Sequence, residues 1–95
     1  IDATAELIDR QDHGANLVLR LAPPPELLRY IVVKGSAAVA GVSLTVNAVD
    51  AVSFSVAIIP HTAEHTTLGG VPVGGRVNLE VDVLAKHIEK LVRPA

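Results

Sequence analysis

Ninety-five residues with a net charge of −2 and a pI near 6.0 make one small domain without the basic stripe that a nucleic acid would need. The chain is 49% hydrophobic, yet no apolar run approaches the ~20 residues that span a bilayer, and no signal peptide is expected. With no cysteine, neither disulfides nor thiol chemistry can operate. One Phe, one Tyr and no Trp leave the core to Val, Leu, Ile and Ala, an inventory that favours sheet. The chain starts at Ile1 and contains no Met, so it is expected to be a piece of something longer.

Ile1 to Asp9 alternates, with Ala3, Ala5 and Leu7 on one face and Asp2, Thr4 and Glu6 on the other, and predicts a first strand. Arg10 to Gly14 reads as a turn, with His13 solvated within it, and Asn16 to Leu21 as the returning strand of an antiparallel hairpin. Pro23-Pro24-Pro25 stops that strand. Proline is tolerated in a first helical turn, so Pro25 to Tyr30 predicts a short helix that lays Leu27, Leu28 and Ile31 on the sheet.

The stretch Lys34 to Val46 organises the chain. It reads as a bend, a short strand, a glycine turn at Gly41 and a second strand. From Ser43 onward, Ser43, Thr45 and Asn47 point one way and Leu44, Val46 and Ala48 the other, the period of a half-buried strand. Two hydroxyls on one face can simply meet water, or can present hydrogen-bond donors to a ligand. Asn47 to Asp50 predicts a turn, Val52 to Ile59 the most apolar strand, and His61 to His65 a single helical turn. A breaker-rich loop, 69–75, leads to a last strand, Arg76 to Val81, with Val77, Leu79 and Val81 inward. Asp82 then opens a helix of about Val83 to Val92 with the narrow apolar stripe Leu84, Ile88, Leu91. The expected fold is all-β: a six-stranded antiparallel Greek-key barrel over residues 1–82, with short helices and a C-terminal helix over 83–95. Closure hides the edges that so small a sheet could not otherwise protect.

Few constellations carry chemistry. His61, Glu64 and His65 invite a zinc reading, but Glu64 adjoins the second histidine instead of the first and no third ligand is evident, so no metal is assigned. Ser43, His61 and Asp82 make a triad on paper only, because no Gly-x-Ser-x-Gly elbow surrounds the serine. The paired glycines at 69–70 and 74–75 lack a P-loop ending and read as turn residues. Asp82 has two compatible readings: it caps the final helix, and it is a rigidly placed carboxylate at a barrel rim.

Several segments in register resemble the lumazine-binding repeat of riboflavin synthase: Lys34-Gly35-Ser36, Gly41-Val42-Ser43-Leu44-Thr45-Val46, Phe54-x-Val56, Ile59-Pro60-His61-Thr62, Thr67-Leu68-Gly69 and Val77-Asn78-Leu79-Glu80-Val81-Asp82. Ser43 and the helix after Glu80-Val81-Asp82 resemble the second of that enzyme's two repeats. The resemblance implies a Greek-key barrel that holds one 6,7-dimethyl-8-ribityllumazine. It also implies a cytoplasmic homotrimer in which the first barrel of one subunit faces the second barrel of its neighbour. Two lumazines meet there and a four-carbon unit passes between them, giving riboflavin and a ribitylaminopyrimidinedione, without metal or redox cofactor.

Carried over by position, Ile1, Lys34, Ser43, Leu44, Thr45, Ile58, Ile59, Pro60, His61, Thr62 and Ala63 would contact ligand, and Ser43 and Asp82 would serve catalysis. The chain departs from the family pattern at Ala40, where Asp is usual, and at the small Ala37 and Ala38; the first repeat and the Gly-His pair that opens the second are not among these 95 residues. A non-catalytic lumazine or flavin carrier on the same fold is the alternative function, and retention of both Ser43 and Asp82 favours the enzyme.

Overall fold

The computed structural model describes residues 3–12 and 16–81. Six strands run β1 (Ala3–Asp12), β2 (Leu17–Ala22), β3 (Ser36–Val39), β4 (Val42–Val49), β5 (Phe54–Ile58) and β6 (Arg76–Val81). They close in the order β1-β2-β5-β4-β3-β6, with every neighbouring pair antiparallel. Two short helices, α1 (Pro25–Leu28) and α2 (Pro60–His65), and a 3₁₀ turn (Thr67–Gly70) fill the connections. The expected barrel is therefore present. The proposed terminal helix, Asp82, Ile1 and His13 lie outside the described residues.

Alternation builds the core. Ala5 and Leu7 of β1, Leu19 and Leu21 of β2, Ala37 and Val39 of β3, Val46 of β4, Phe54, Val56 and Ile58 of β5, and Val77, Leu79 and Val81 of β6 are all buried inside the barrel. Ile31 is buried with them, and Leu27 and Leu28 pack on the same cluster, as the short helix after the prolines requires.

Two β-bulges change the sequence expectations. On β1, Leu7 lies opposite Leu21 but Asp9 opposite Arg20, so Ile8 is an extra residue. An inserted residue reverses the facing of all that follow it in the strand. Arg10 accordingly stands opposite the buried Leu19, and the strand runs on to Asp12 where a turn was expected from Arg10. On β4, Val46 faces Val56, but Ala48 faces Ser55 and Val49 faces Phe54. Asn47 is the extra residue, so Val49 instead of Ala48 continues the inner face, and the strand runs on through residues expected to turn.

The turn falls at residues 50–53, where one carboxylate gathers four donors. Asp50 Oδ1 accepts the backbone N–H of Val52 and Ser53, and Oδ2 accepts the Ser53 hydroxyl and the Arg20 guanidinium at 2.8 Å. The Val52 amide first, then the Ser53 hydroxyl and amide, hold the Asp50 carboxyl below its ordinary value of 3.8.

Candidate functional site

The site is built on β4, and β4 is aimed by the turn before it. Val39 pairs with Val42, leaving Ala40 and Gly41 as a two-residue hairpin loop. Both have positive φ, 51° and 80°. That is the type I′ pattern, whose twist matches the strands it joins and which favours Asn or Asp followed by Gly. The loop fixes the register of Ala37 opposite Leu44 on the inner side, Ala38 opposite Ser43 and Ser36 opposite Thr45 on the outer side. Glu80 of β6 pairs with Ala38, so Glu80, Ala38 and Ser43 form one row across the outer face. A shallow groove of about 120 Å³ lies there, lined by Ser36, Ala37, Ala38, Ser43, Glu80 and Val81.

On its other side β4 parts from β5. The pairing between them stops at Val46 and Val56, while β4 remains paired to β3 as far as Val42 and β5 to β2 as far as Ile58. Val46 spends its amide and carbonyl on Gly35 and Lys34, on the β3 side. Main-chain groups alternate along a strand, so Ser43 turns its amide and carbonyl toward the opening beyond the last β4–β5 pair. A barrel seam that opens in this way presents ladder groups and side-chain hydroxyls together.

Ser43 and Thr45 are exposed on the outer face, and Leu44 between them is half-buried on the inner one. Ile59 is 57% exposed just past the end of β5. Pro60 opens α2 at its first turn, His61 is exposed, and Thr62 and Ala63 are half-buried. Ile58 is different: its side chain is buried in the barrel, so only its main chain is available to a ligand on the outer face. Lys34 is exposed, with φ 68° in a turn closed by the Gly35 amide on the Val32 carbonyl. The Lys34 amide donates to the Val46 carbonyl at 2.8 Å, which places the Lys34 main chain beside the middle of β4. Ser36, which shares the outer face with Thr45, escaped the sequence reading as a site residue; its position two residues before Ala38 in a strand was the available signal.

The parting of β4 from β5, with two hydroxyls exposed along β4 and an exposed isoleucine and a helix start after β5, has a chemistry that suits a small, largely neutral molecule with an apolar face. The family model of the lumazine binding domain matches residues 1–82, and the chain belongs to that family. Riboflavin synthase of Mycobacterium tuberculosis (strain ATCC 25618 / H37Rv) is 48% identical over 98 residues, an alignment that takes in 100% of this chain and 49% of the relative. Riboflavin synthase of Photobacterium phosphoreum is 45% identical across 97% of this chain and 42% of its own length. The chain thus spans about half the length of the curated relatives it matches. Among solved structures, LumP complexed with riboflavin superposes with a TM-score of 0.82 at 21% identity, covering 88% of this chain and 45% of that one. LumP complexed with 6,7-dimethyl-8-(1'-D-ribityl) lumazine gives 0.80 at 22%, covering 87% and 46%. These structures share the fold.

Proposed function

We propose that this chain is the lumazine-binding half of a riboflavin synthase, and that it holds 6,7-dimethyl-8-ribityllumazine across the open seam between β4 and β5. The observation that carries the reading is the stretch of β4 left without a β5 partner beyond Val46 and Val56, with Ser43 and Thr45 exposed along it and Ile59 exposed past the end of β5, in a chain 48% identical to a riboflavin synthase. A pyrimidinedione edge carries alternating donors and acceptors and suits the free edge of a strand. The ring face suits Ile59, and a ribityl chain suits hydroxyls such as Thr45 and Thr62, with Lys34 at the periphery.

In the whole enzyme two lumazines would be dismutated to riboflavin and 5-amino-6-ribitylaminopyrimidinedione, a transferase reaction. One molecule loses a proton from a methyl group and the other accepts a nucleophile. Ser43 and Asp82 are the groups assigned by family position to assist those steps by positioning and proton transfer. A second barrel is needed to bring the second lumazine face to face with the first. The first repeat and neighbouring copies in a cytoplasmic homotrimer are the proposed partners. A carrier role on the same barrel is the second reading; the likeness to LumP bound to riboflavin favours it, and the higher identity to riboflavin synthases favours the enzyme.

Fluorescence titration of the purified chain with 6,7-dimethyl-8-ribityllumazine tests the binding claim. Saturable binding that weakens in Thr45→Ala and Ser43→Ala is expected. No binding, or binding indifferent to both changes, would refute it.

A further inference from the structure

We propose that Arg10 is a positioning residue for ligand binding: from β1 it holds α2, which follows β5 at the β4–β5 opening, in place through the Gly69 and Val71 carbonyls. The inference rests on the lumazine reading of that opening.

The chain of contacts is short. The extra residue Ile8 re-aims Arg10, which would otherwise face outward with Glu6, and sets it opposite the buried Leu19. Its guanidinium is part-buried and forks, with Nη1 donating to the Val71 carbonyl at 3.0 Å and Nη2 to the Gly69 carbonyl at 2.5 Å. Gly69 is in turn seated on α2. A Cβ at Gly69 would lie 2.1 Å from the Ala63 carbonyl oxygen and 2.9 Å from its carbon, so the two backbones touch with no side chain between them. A displacement of the Gly69 carbonyl is therefore passed to Ala63, one residue past Thr62.

α2 depends on such a hold. It has six residues and no side-chain cap at its N-terminus, and a helix that short is not stable by itself. Leu68, fully buried, anchors the adjoining 3₁₀ turn to the core by burial, which is non-directional. The Arg10 fork adds direction, because a planar guanidinium that bonds two fixed carbonyls sets both distance and angle. A lysine reaches one carbonyl at a time and cannot reproduce the fork.

The test compares wild type with Arg10→Gln and Arg10→Lys, first without ligand and then with it. Without ligand, hydrogen exchange is expected to quicken at Ala63 and Val71 and to stay unchanged at Val56 and Leu79 in the barrel. With 6,7-dimethyl-8-ribityllumazine, affinity is expected to fall about tenfold in both variants at temperatures where each is fully folded, a change of about 1.4 kcal/mol. Millimolar guanidinium is expected to restore affinity to Arg10→Ala and to leave wild type unaffected, a rescue that general destabilisation would not give. Should Arg10→Gln fail to fold, Arg10→Lys carries the same comparison. Faster exchange at Ala63 with unchanged affinity would overturn the positioning role, and unchanged exchange at both residues would overturn the clasp itself. If wild type binds no lumazine, the reading of the opening fails, and with it the role in binding, while the exchange data still decide whether Arg10 holds α2.

Discussion

Ala40 carries a strain that a single substitution should relieve. It sits at φ 51° in the two-residue loop that aims Ser43 and Thr45, followed by Gly41 at φ 80°. An L-residue with a Cβ in the left-handed region costs roughly 1–2 kcal/mol, and Asn recovers part of that by local hydrogen bonding. The loop's main-chain hold on the barrel is kept, because the Ala40 amide donates to the Asn78 carbonyl at 2.8 Å whatever the side chain. Ala40→Asn is thus expected to stabilise by about 1 kcal/mol, which in a domain of this size raises the melting temperature by roughly 4–8 °C. Gly41→Ala places a Cβ at φ 80°, with open space around it, and should destabilise by roughly 1–2 kcal/mol through conformation alone. Urea unfolding followed by circular dichroism, at equal m-value, measures both. If Ala40→Asn were neutral and Gly41→Ala harmless, the loop would not be of the I′ kind. The register that puts two hydroxyls on the outer face would then need another source.

Phe54, the largest side chain in the core, is fully buried, and Phe54→Ala should cost roughly 3–5 kcal/mol in chemical denaturation. The Asp50 carboxyl is held low by the Val52 and Ser53 donors, so its contribution is complete above its ordinary value of 3.8 and is lost as pH falls through the lower folded value. Between pH 5 and pH 3, wild type should therefore lose more stability than Asp50→Asn, and parallel curves would exclude the effect. In a complete two-repeat enzyme, Asp82→Asn should keep the melting temperature, because Asn also caps a helix, and lose rate; equal losses would make capping its only role. The 95-residue chain alone should bind lumazine without useful turnover. One barrel holds one substrate, and positioning two is worth effective molarities on the order of 10⁵ M or more. Riboflavin formation well above the uncatalysed rate would refute this.

Strand identity and facing were legible wherever the period of two ran unbroken. Arg76 to Val81 is a strand with Val77, Leu79 and Val81 buried, and Ser43 and Thr45 lie outside as their alternation demands. The bulges at Ile8 and Asn47 were not legible, because an inserted residue is defined by the partner strand and leaves the local pattern intact. Counting through them misplaced Arg10 in a turn and Ala48 on the inner face. The hydroxyls of the candidate site could be read from composition and spacing. The parting of β4 from β5 could not, since where a ladder stops is a property of two strands. Ile58 shows the same limit: its neighbour Ile59 is exposed while it is buried, a difference set by where β5 ends.

The central claim is that a lumazine lies across the opening between β4 and β5. Amide chemical-shift mapping of the isotopically labelled chain, titrated with 6,7-dimethyl-8-ribityllumazine, tests it most directly. Saturating shifts centred on Ser43, Thr45, Ile59 and Thr62, with little change on the turn at Asp50 to Ser53, are the predicted result. Shifts centred on α1 and Tyr30, or no saturable shifts at all, would contradict it.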